Sequence, residues 1–474
     1  MQKRYILDND GTNIFAHPDP LNAEVIDRAV QECPDAVTTY LICPNWCGKF
    51  FLPTQVGEIL PESCAPALHA LLKSGNDPLG MFIERMRSTG RETFITYRTN
   101  DVHGADDPNH PGTSQFKKAH PDFVVDPTDK SGNWMARCLD YSRPEVRDYY
   151  LASLTELAQR YDVDGFQIDW MRFPRHLSGN HTEEVWAKRG ALTEFMASVR
   201  EMLDRVGTQR GRRILLSARI PTWLEGCRKV GIDIAEWNRL KLLDFISLAP
   251  FLSCDFWMPI ADFRNLFGEH SIPIYVGTDL NHSGRVHTPE SYRAWALSMY
   301  DQGADGLNVF NFPCWTEYLA ARPYHWIADL DDPNKLVGKP ALYTLINSYH
   351  RIPGVDQTTQ LPVKLAVDES AQLKLRLPKL ALPATRAMIL IHFGRNIEFT
   401  INGQSVISRS LPLASDIFPP YLDEDSIKRQ PKREDCGIFD INPKLLQVGE
   451  NEMRVTNQSG QEQTVNRFDL GLWY

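Results

Sequence analysis

Eight short apolar runs, each separated from the next by a stretch that can hold a helix, constrain this chain more than any other feature. They read RYILDND, TTYLICPNW, TFITYRTND, DGFQIDW, RILLSARIP, LLDFISLAPF, IPIYVGTDL and DGLNVFNF, all before residue 313. Near-continuous apolar strands are those buried on both faces, as in a parallel sheet covered by helices. Eight of them in alternation with helices predict a (β/α)8 barrel.

The intervals agree. In SRPEVRDYYLASLTELAQRY, Pro144 suits a first helical turn, and Ser142 with Glu145 forms a capping-box pattern. Val146, Tyr150, Leu154, Leu157, Ala158 and Tyr161 then recur at helical spacing, giving one face to pack on the barrel. Residues 101–137, which include HGADDPNHPGTSQFKKAHPDF, predict an extended loop over the barrel mouth.

The pattern changes after about residue 352. AQLKLRL and IEFTING alternate apolar and polar residues, and Asn402-Gly403 is a hairpin signal. The expected organisation is a barrel over residues 1–350 and an all-β sandwich over 355–474.

Composition excludes several functions. The chain is 42% hydrophobic, and 51 basic against 60 acidic residues leave a net charge of −9 with no long basic run. Nucleic acid and anionic membrane surfaces are therefore not expected partners. No apolar run is long enough to span a bilayer, and the start lacks the apolar core of a signal peptide. Nine cysteines without a CxxC pair fit a reduced, cytoplasmic protein. A secreted or periplasmic location would follow if a signal segment had been removed. His103, His110 and His120 match no standard metal spacing, and there is no P-loop or GxGxxG, so no metal or cofactor is expected. Oligomeric state is not legible.

In such a barrel the site forms where strands end and the following loops begin. The polar strand-end residues are Asn9, Asp10, Asn45, Arg98, Asn100, Asp101, Asp169, Arg172, Arg219, Asp255, Asp279, Asn281, Asn311 and Glu317, with His103 on the long loop. Trp46, Trp170, Trp257 and Trp315 are candidate sugar platforms. Pyranosides present apolar CH faces and hydroxyls, so aromatic rings beside Asn, Asp and Arg point to glycan. Hydrolysis of a glycosidic bond needs two carboxyl groups, one kept as an acid and one ionised. Asp169 stands inside the apolar run DGFQIDWMRFP and is the leading candidate, with Arg172, three residues on, as its expected ion-pair partner. Asp255 is the expected second carboxylate, Asp279 the alternative and Glu317 a further choice. Arg98 and Arg219 are expected to clamp substrate hydroxyls or anionic groups.

NDGTN, DGFQIDWMRFP and GIDIAEW with LLDFISLAPF resemble the glycosyl-hydrolase-like barrels of bacteria. In that family strand four reads D-G-hydrophobic-x-hydrophobic-D-aromatic-x-R-aromatic-P, and a G-x-D-x-x-x-W segment precedes strand six, as Gly231, Asp233 and Trp237 do here. The resemblance covers roughly residues 5–320. It implies a barrel that acts on glycans, with Asp169 as the matching strand-four acid. That position is similar to the nucleophile of retaining α-galactosidase- and α-fucosidase-like barrels. The strand-seven glutamate of many β-glycosidase barrels has no counterpart, since YVGTDLN offers Asp279 instead.

The expectation is a glycoside hydrolase acting on a poly- or oligosaccharide by a retaining two-carboxylate mechanism. The alternative is a non-catalytic glycan-binding barrel that has lost one carboxylate. The sandwich is expected to stabilise the barrel or to help hold glycan.

Overall fold

A computed structural model describes residues 3–16, 20–104, 107, 109–317, 323–392, 397–406, 417–418 and 436–474. Within these, the side chains of 281–282, 315–317 and 436 are not described. The eight apolar runs form a closed parallel barrel: β1 (Tyr5–Asn9), β2 (Thr39–Ile42), β3 (Glu92–Arg98), β4 (Gly165–Asp169), β5 (Leu215–Ile220), β6 (Phe245–Leu248), β7 (Ile274–Thr278) and β8 (Gly306–Phe310). Each pairs with its sequence neighbours, and β8 closes on β1. The chain therefore has a (β/α)8 barrel.

The barrel interior is layered. Side chains alternate along a strand, so every second residue faces the axis. At the base Ile6, Leu41, Phe94, Phe245 and Tyr275 form a closed apolar cluster. Gly165 is required there, because a Cβ at this position would lie 2.2 Å from the Phe94 ring. Above the plug, Gln167 and Asn308 each donate a side-chain hydrogen bond to Ser247 Oγ, at 3.1 and 3.2 Å. Two residues further along β3, β4 and β5, the alternation delivers Arg98, Asp169 and Arg219 in direct register.

The helix before β4 runs Pro144–Arg160, with Pro144 in its first turn and Val146, Tyr150, Leu154, Leu157 and Ala158 buried. The capping box does not form: the N-cap is Arg143, without a side-chain cap, because Pro144 itself fixes the start. Ser142 N–H donates instead to Asp140. Among the described residues no helix is long and apolar enough to cross a membrane.

The C-terminal region is a β-sandwich of two four-stranded antiparallel sheets. Asn402 and Gly403 both take positive φ (50° and 77°) in the hairpin joining Ile397–Ile401 to Gln404–Ser405. One sheet includes Ala341–Leu345, upstream of the expected start at 355, because this strand pairs with the last strand, Arg467–Trp473. A buried ion cluster joins barrel to sandwich. Asp469 accepts hydrogen bonds from Arg285 and from Arg467, both at 2.6 Å, and from Thr344 Oγ1 at 3.0 Å. Arg285 belongs to the segment after β7, and both it and Asp469 are buried. Burial would raise the Asp469 pKa, but the two guanidiniums override it and hold the group below its ordinary value.

Removing one member of a buried pair strands a charge and costs about 3–5 kcal/mol. Asp469→Asn should lower stability by that order in urea denaturation. Adding Arg285→Met to it should cost less than the two single losses combined; additive losses would contradict the coupling.

Candidate active site

Charges alternate around the mouth because the register places them so. Arg98, Asp169 and Arg219 sit side by side on β3, β4 and β5, each almost wholly buried. Asp169 Oδ1 accepts from the backbone N–H groups of Met171 (2.9 Å) and Arg172 (3.0 Å), which turns the chain sharply off the strand. Its Oδ2 accepts from Arg219 Nη1 at 3.0 Å. The Arg219 guanidinium lies 3.8 Å from the centre of the Phe310 ring, which fixes its plane. The ion-pair partner of Asp169 is thus Arg219, not Arg172. The turn after β4 carries the Arg172 side chain across to Asp10, at 3.5 Å, and its Nε and Nη1 have no hydrogen-bond partner among the described residues.

Asp10 is the second anchor. Arg98 Nη2 lies 2.5 Å from it, and Asn311 also hydrogen-bonds it. Burial alone would raise its pKa; Arg98 and Arg172 overcome this and lower it to about 2.

Asp279, just beyond β7, is treated in the opposite way. Its Oδ1 accepts from Leu280 N–H at 2.7 Å, while Oδ2 is buried with no hydrogen-bond partner among the described residues. Burial pushes its pKa up to about 7, against the pull of Arg172 and Arg219. Asp8, one layer deeper, is buried with neither oxygen hydrogen-bonded among the described residues, and burial raises its pKa well above the carboxylate range. One mouth therefore holds carboxyl groups of opposite character, ionised at Asp10 and readily protonated at Asp279.

The rim is aromatic. The loop after β3 lies over the mouth, as its length implied. Asp101 accepts from Arg98 Nη1 (2.9 Å), Cys47 N–H (2.9 Å) and His103 Nδ1 (2.6 Å). The His103 ring stands between Trp46, 6.1 Å away, and Phe173, 5.1 Å away edge-on. Trp134, from the same loop, packs against Phe173 and Phe251.

Cys47, Asp101 and His103 offer ligand atoms within 4.8 Å of one another, the one such group among the described residues. They fit a metal poorly. Both Asp101 oxygens are already engaged, and burial beside Asp101 raises the Cys47 thiol, which disfavours the thiolate that a metal needs.

Four expected residues lie elsewhere, among them Trp257, which lines a separate cavity between barrel and sandwich. Asp255 pairs with Arg351 at 2.8 Å, against the sandwich, so a salt bridge to the linker occupies it. Trp170 is fully buried among Tyr141, His176 and Trp237, because alternation turns the residue after Asp169 outward to the helices. Asn100 fastens the long loop, accepting from Leu139 N–H at 2.8 Å and donating to the Arg175 carbonyl at 3.1 Å. The side chains of Asn281, Trp315 and Glu317 lie outside the described residues. Sequence reading missed Asp8, Trp134, Phe173 and Phe251. Asp8 had a signal, since it shares with Asp10 the inward face of a strand otherwise apolar.

No family model matches the chain. Among solved structures it is similar to the α-L-fucosidase isoenzyme 2 of Paenibacillus thiaminolyticus, at 13% identity over 71% of this chain and 48% of that one, with a TM-score of 0.44. It is also similar to the PgaB (BpsB) glycoside hydrolase domain of Bordetella bronchiseptica, at 10% identity over 70% and 99% of the two chains, TM-score 0.47. A third is the GH36 α-galactosidase AgaB of Geobacillus stearothermophilus, at 15% identity over 96% and 55%, TM-score 0.39. The chain matches about half the length of the fucosidase.

The Asp279 environment has a thermodynamic consequence. Its pKa rises from 3.8 to about 7 on folding, so the folded state holds this proton more tightly than the unfolded chain. That contribution is complete below about pH 4 and is lost as pH rises through about 7, with a span of roughly 4 kcal/mol. Asp279→Asn removes the dependence. In urea unfolding the variant should therefore gain on the wild type between pH 4.5 and 8; a constant difference would contradict the assignment.

Proposed function

We propose that this protein is a glycoside hydrolase acting on a poly- or oligosaccharide, with Asp279 as general acid and Asp169 as nucleophile. The observation that carries the reading is the pairing of environments in one mouth. Asp279 keeps a free oxygen and a pKa of about 7, so it can carry a proton near neutrality. Asp169 accepts hydrogen bonds from Arg219 and from two backbone N–H groups, which fix its carboxyl group in place at the end of β4. Carboxyls set in such different surroundings can divide acid and nucleophile roles between them.

In this reading the Asp279 O–H gives its proton to the leaving glycosidic oxygen as that bond breaks. Asp169 Oδ2 bonds to the anomeric carbon as the leaving oxygen departs, forming a glycosyl ester and giving up its charged contact with Arg219. Its Oδ1 becomes the ester carbonyl and keeps its two backbone N–H donors. Water then attacks the same carbon, passing a proton to the Asp279 carboxylate and releasing Asp169. The orphaned donors of Arg172 supply hydrogen bonds to sugar oxygens, and Trp46, His103, Phe173 and Trp134 frame the opening with apolar faces. The alternation of fixed charges keeps the mouth preorganised, so little reorganisation accompanies charge development. The cysteines are spaced singly along the chain without a CxxC pair, which suits a reducing, cytoplasmic setting.

The test is a panel of aryl glycosides and of plant, algal and bacterial glycans, with Asp169→Asn and Asp279→Asn beside the wild type. Turnover of the responsive substrate should fall above about pH 7, as Asp279 loses its proton. Asp279→Asn should lose about 100-fold or more on a poor leaving group and much less on a dinitrophenyl glycoside. Asp169→Asn should lose at least as much on both. Near-normal turnover by Asp169→Asn would refute its role, and a panel without turnover would favour the non-catalytic binding barrel.

A further inference from the structure

The loop that follows β6 has two ends with different surroundings. Phe251 belongs to the aromatic rim, 5.9 Å from both Trp134 and Phe173. Six residues on, Trp257 stands at a separate cavity of about 310 Å³ between barrel and sandwich. Among the described residues, Trp257 is the sole aromatic ring in the set of exposed large hydrophobic side chains, at 40% exposure. A tryptophan beside a cavity offers an apolar face together with a polar N–H, the combination enriched at interfaces.

The cavity wall is polar and already ordered. At its floor Arg351 pairs with Asp255 at 2.8 Å. Gln357 Nε2 donates to the Trp257 carbonyl and to Thr222 Oγ1, both at 3.1 Å, which fixes the loop. From the sandwich, Lys374 and Glu450 form a pair at 2.8 Å on the opposite wall. Arg376 lies 5.1 Å over the Trp257 ring, and its charge also acts on Glu450, its cross-strand neighbour. An exposed cation–π contact is worth only about 0.5–1 kcal/mol, so a ligand can displace it.

We propose that this cavity is a second glycan-binding site, in which a sugar ring stacks on Trp257 while Arg376 and the polar wall hold its hydroxyls. The proposal rests on the glycan reading of the barrel mouth. Its volume falls at the small end of ligand pockets, which suits one or two sugar units. Six residues of chain reach at most about 20 Å, so Trp257 lies no further than that from Phe251 at the aromatic rim, a span that a polysaccharide can bridge. The sandwich then contributes one wall of a binding site besides its structural contacts, and Asp255 serves that site in place of catalysis.

The test uses the full chain in native gels cast with soluble arabinoxylan, mixed-linkage β-glucan, pectin, alginate, laminarin or dextran. The proposal expects retardation by at least one polysaccharide, reduced at least tenfold in apparent affinity by Trp257→Ala and by Arg376→Ala. Asp279→Asn should remain retarded, which separates this site from the chemistry. Unchanged thermal unfolding of Arg376→Ala, whose side chain is exposed, establishes that the fold is intact. Retardation by none of the six, or retardation that survives both substitutions, overturns the proposal. Absence of turnover with binding intact and sensitive to Trp257 would instead remove the hydrolase reading alone.

Discussion

The ion pair between Asp169 and Arg219 is the contact on which the rest of the mouth depends. Arg219 stands in the middle of the site, in register with Asp169 and held flat by Phe310. Its field also acts on Asp8 and Asp279. Each buried ion costs several kcal/mol to desolvate, and that is tolerable only where opposite charges and hydrogen bonds repay it. Here Arg98 is shared between Asp10 and Asp101, and Arg219 serves Asp169. The matching is incomplete: at Asp8, Arg98, Arg172, Arg219 and Asp279 buried polar atoms lack hydrogen-bond partners among the described residues. Of these, Arg172 and Asp279 face a substrate in the proposed mechanism.

Much of the fold was legible because its cause is local. A strand buried on both faces must be apolar nearly throughout, so eight such runs announce a barrel before any contact is known. Arg98, Asp169 and Arg219 were legible for the same reason: a charged residue ending an apolar strand has few places to go except the mouth. The Asn402-Gly403 turn was legible because few residues accept positive φ at both positions.

What was not legible depended on distant chain or on a single step of alternation. Asp255 lies in the loop after β6, as Asp279 directly follows β7, yet Arg351, 96 residues later, claims it. Nothing near Asp255 in sequence announces that partner. Trp170 follows Asp169 directly, and neighbouring residues of a strand face opposite sides, so a residue beside a site residue is turned away from the site. Arg172 was expected beside Asp169 through proximity in sequence, but the hydrogen bonds that Asp169 accepts from the next turn redirect the chain. Asn100 was drawn into fastening the loop because the long segment 101–137 needs buried backbone partners.

The central claim is that the barrel mouth gives its carboxyl groups opposite protonation states near neutrality, and it is tested most directly without any substrate. Aspartate labelled with 13C at the side-chain carboxyl, followed by NMR from pH 3 to 9, reports each titration. The account predicts a resonance that titrates at about 7 and vanishes in Asp279→Asn, while Asp10 stays ionised over the whole range. If the resonance lost in Asp279→Asn titrates below pH 5, Asp279 is an ordinary ionised carboxylate and the division of roles fails.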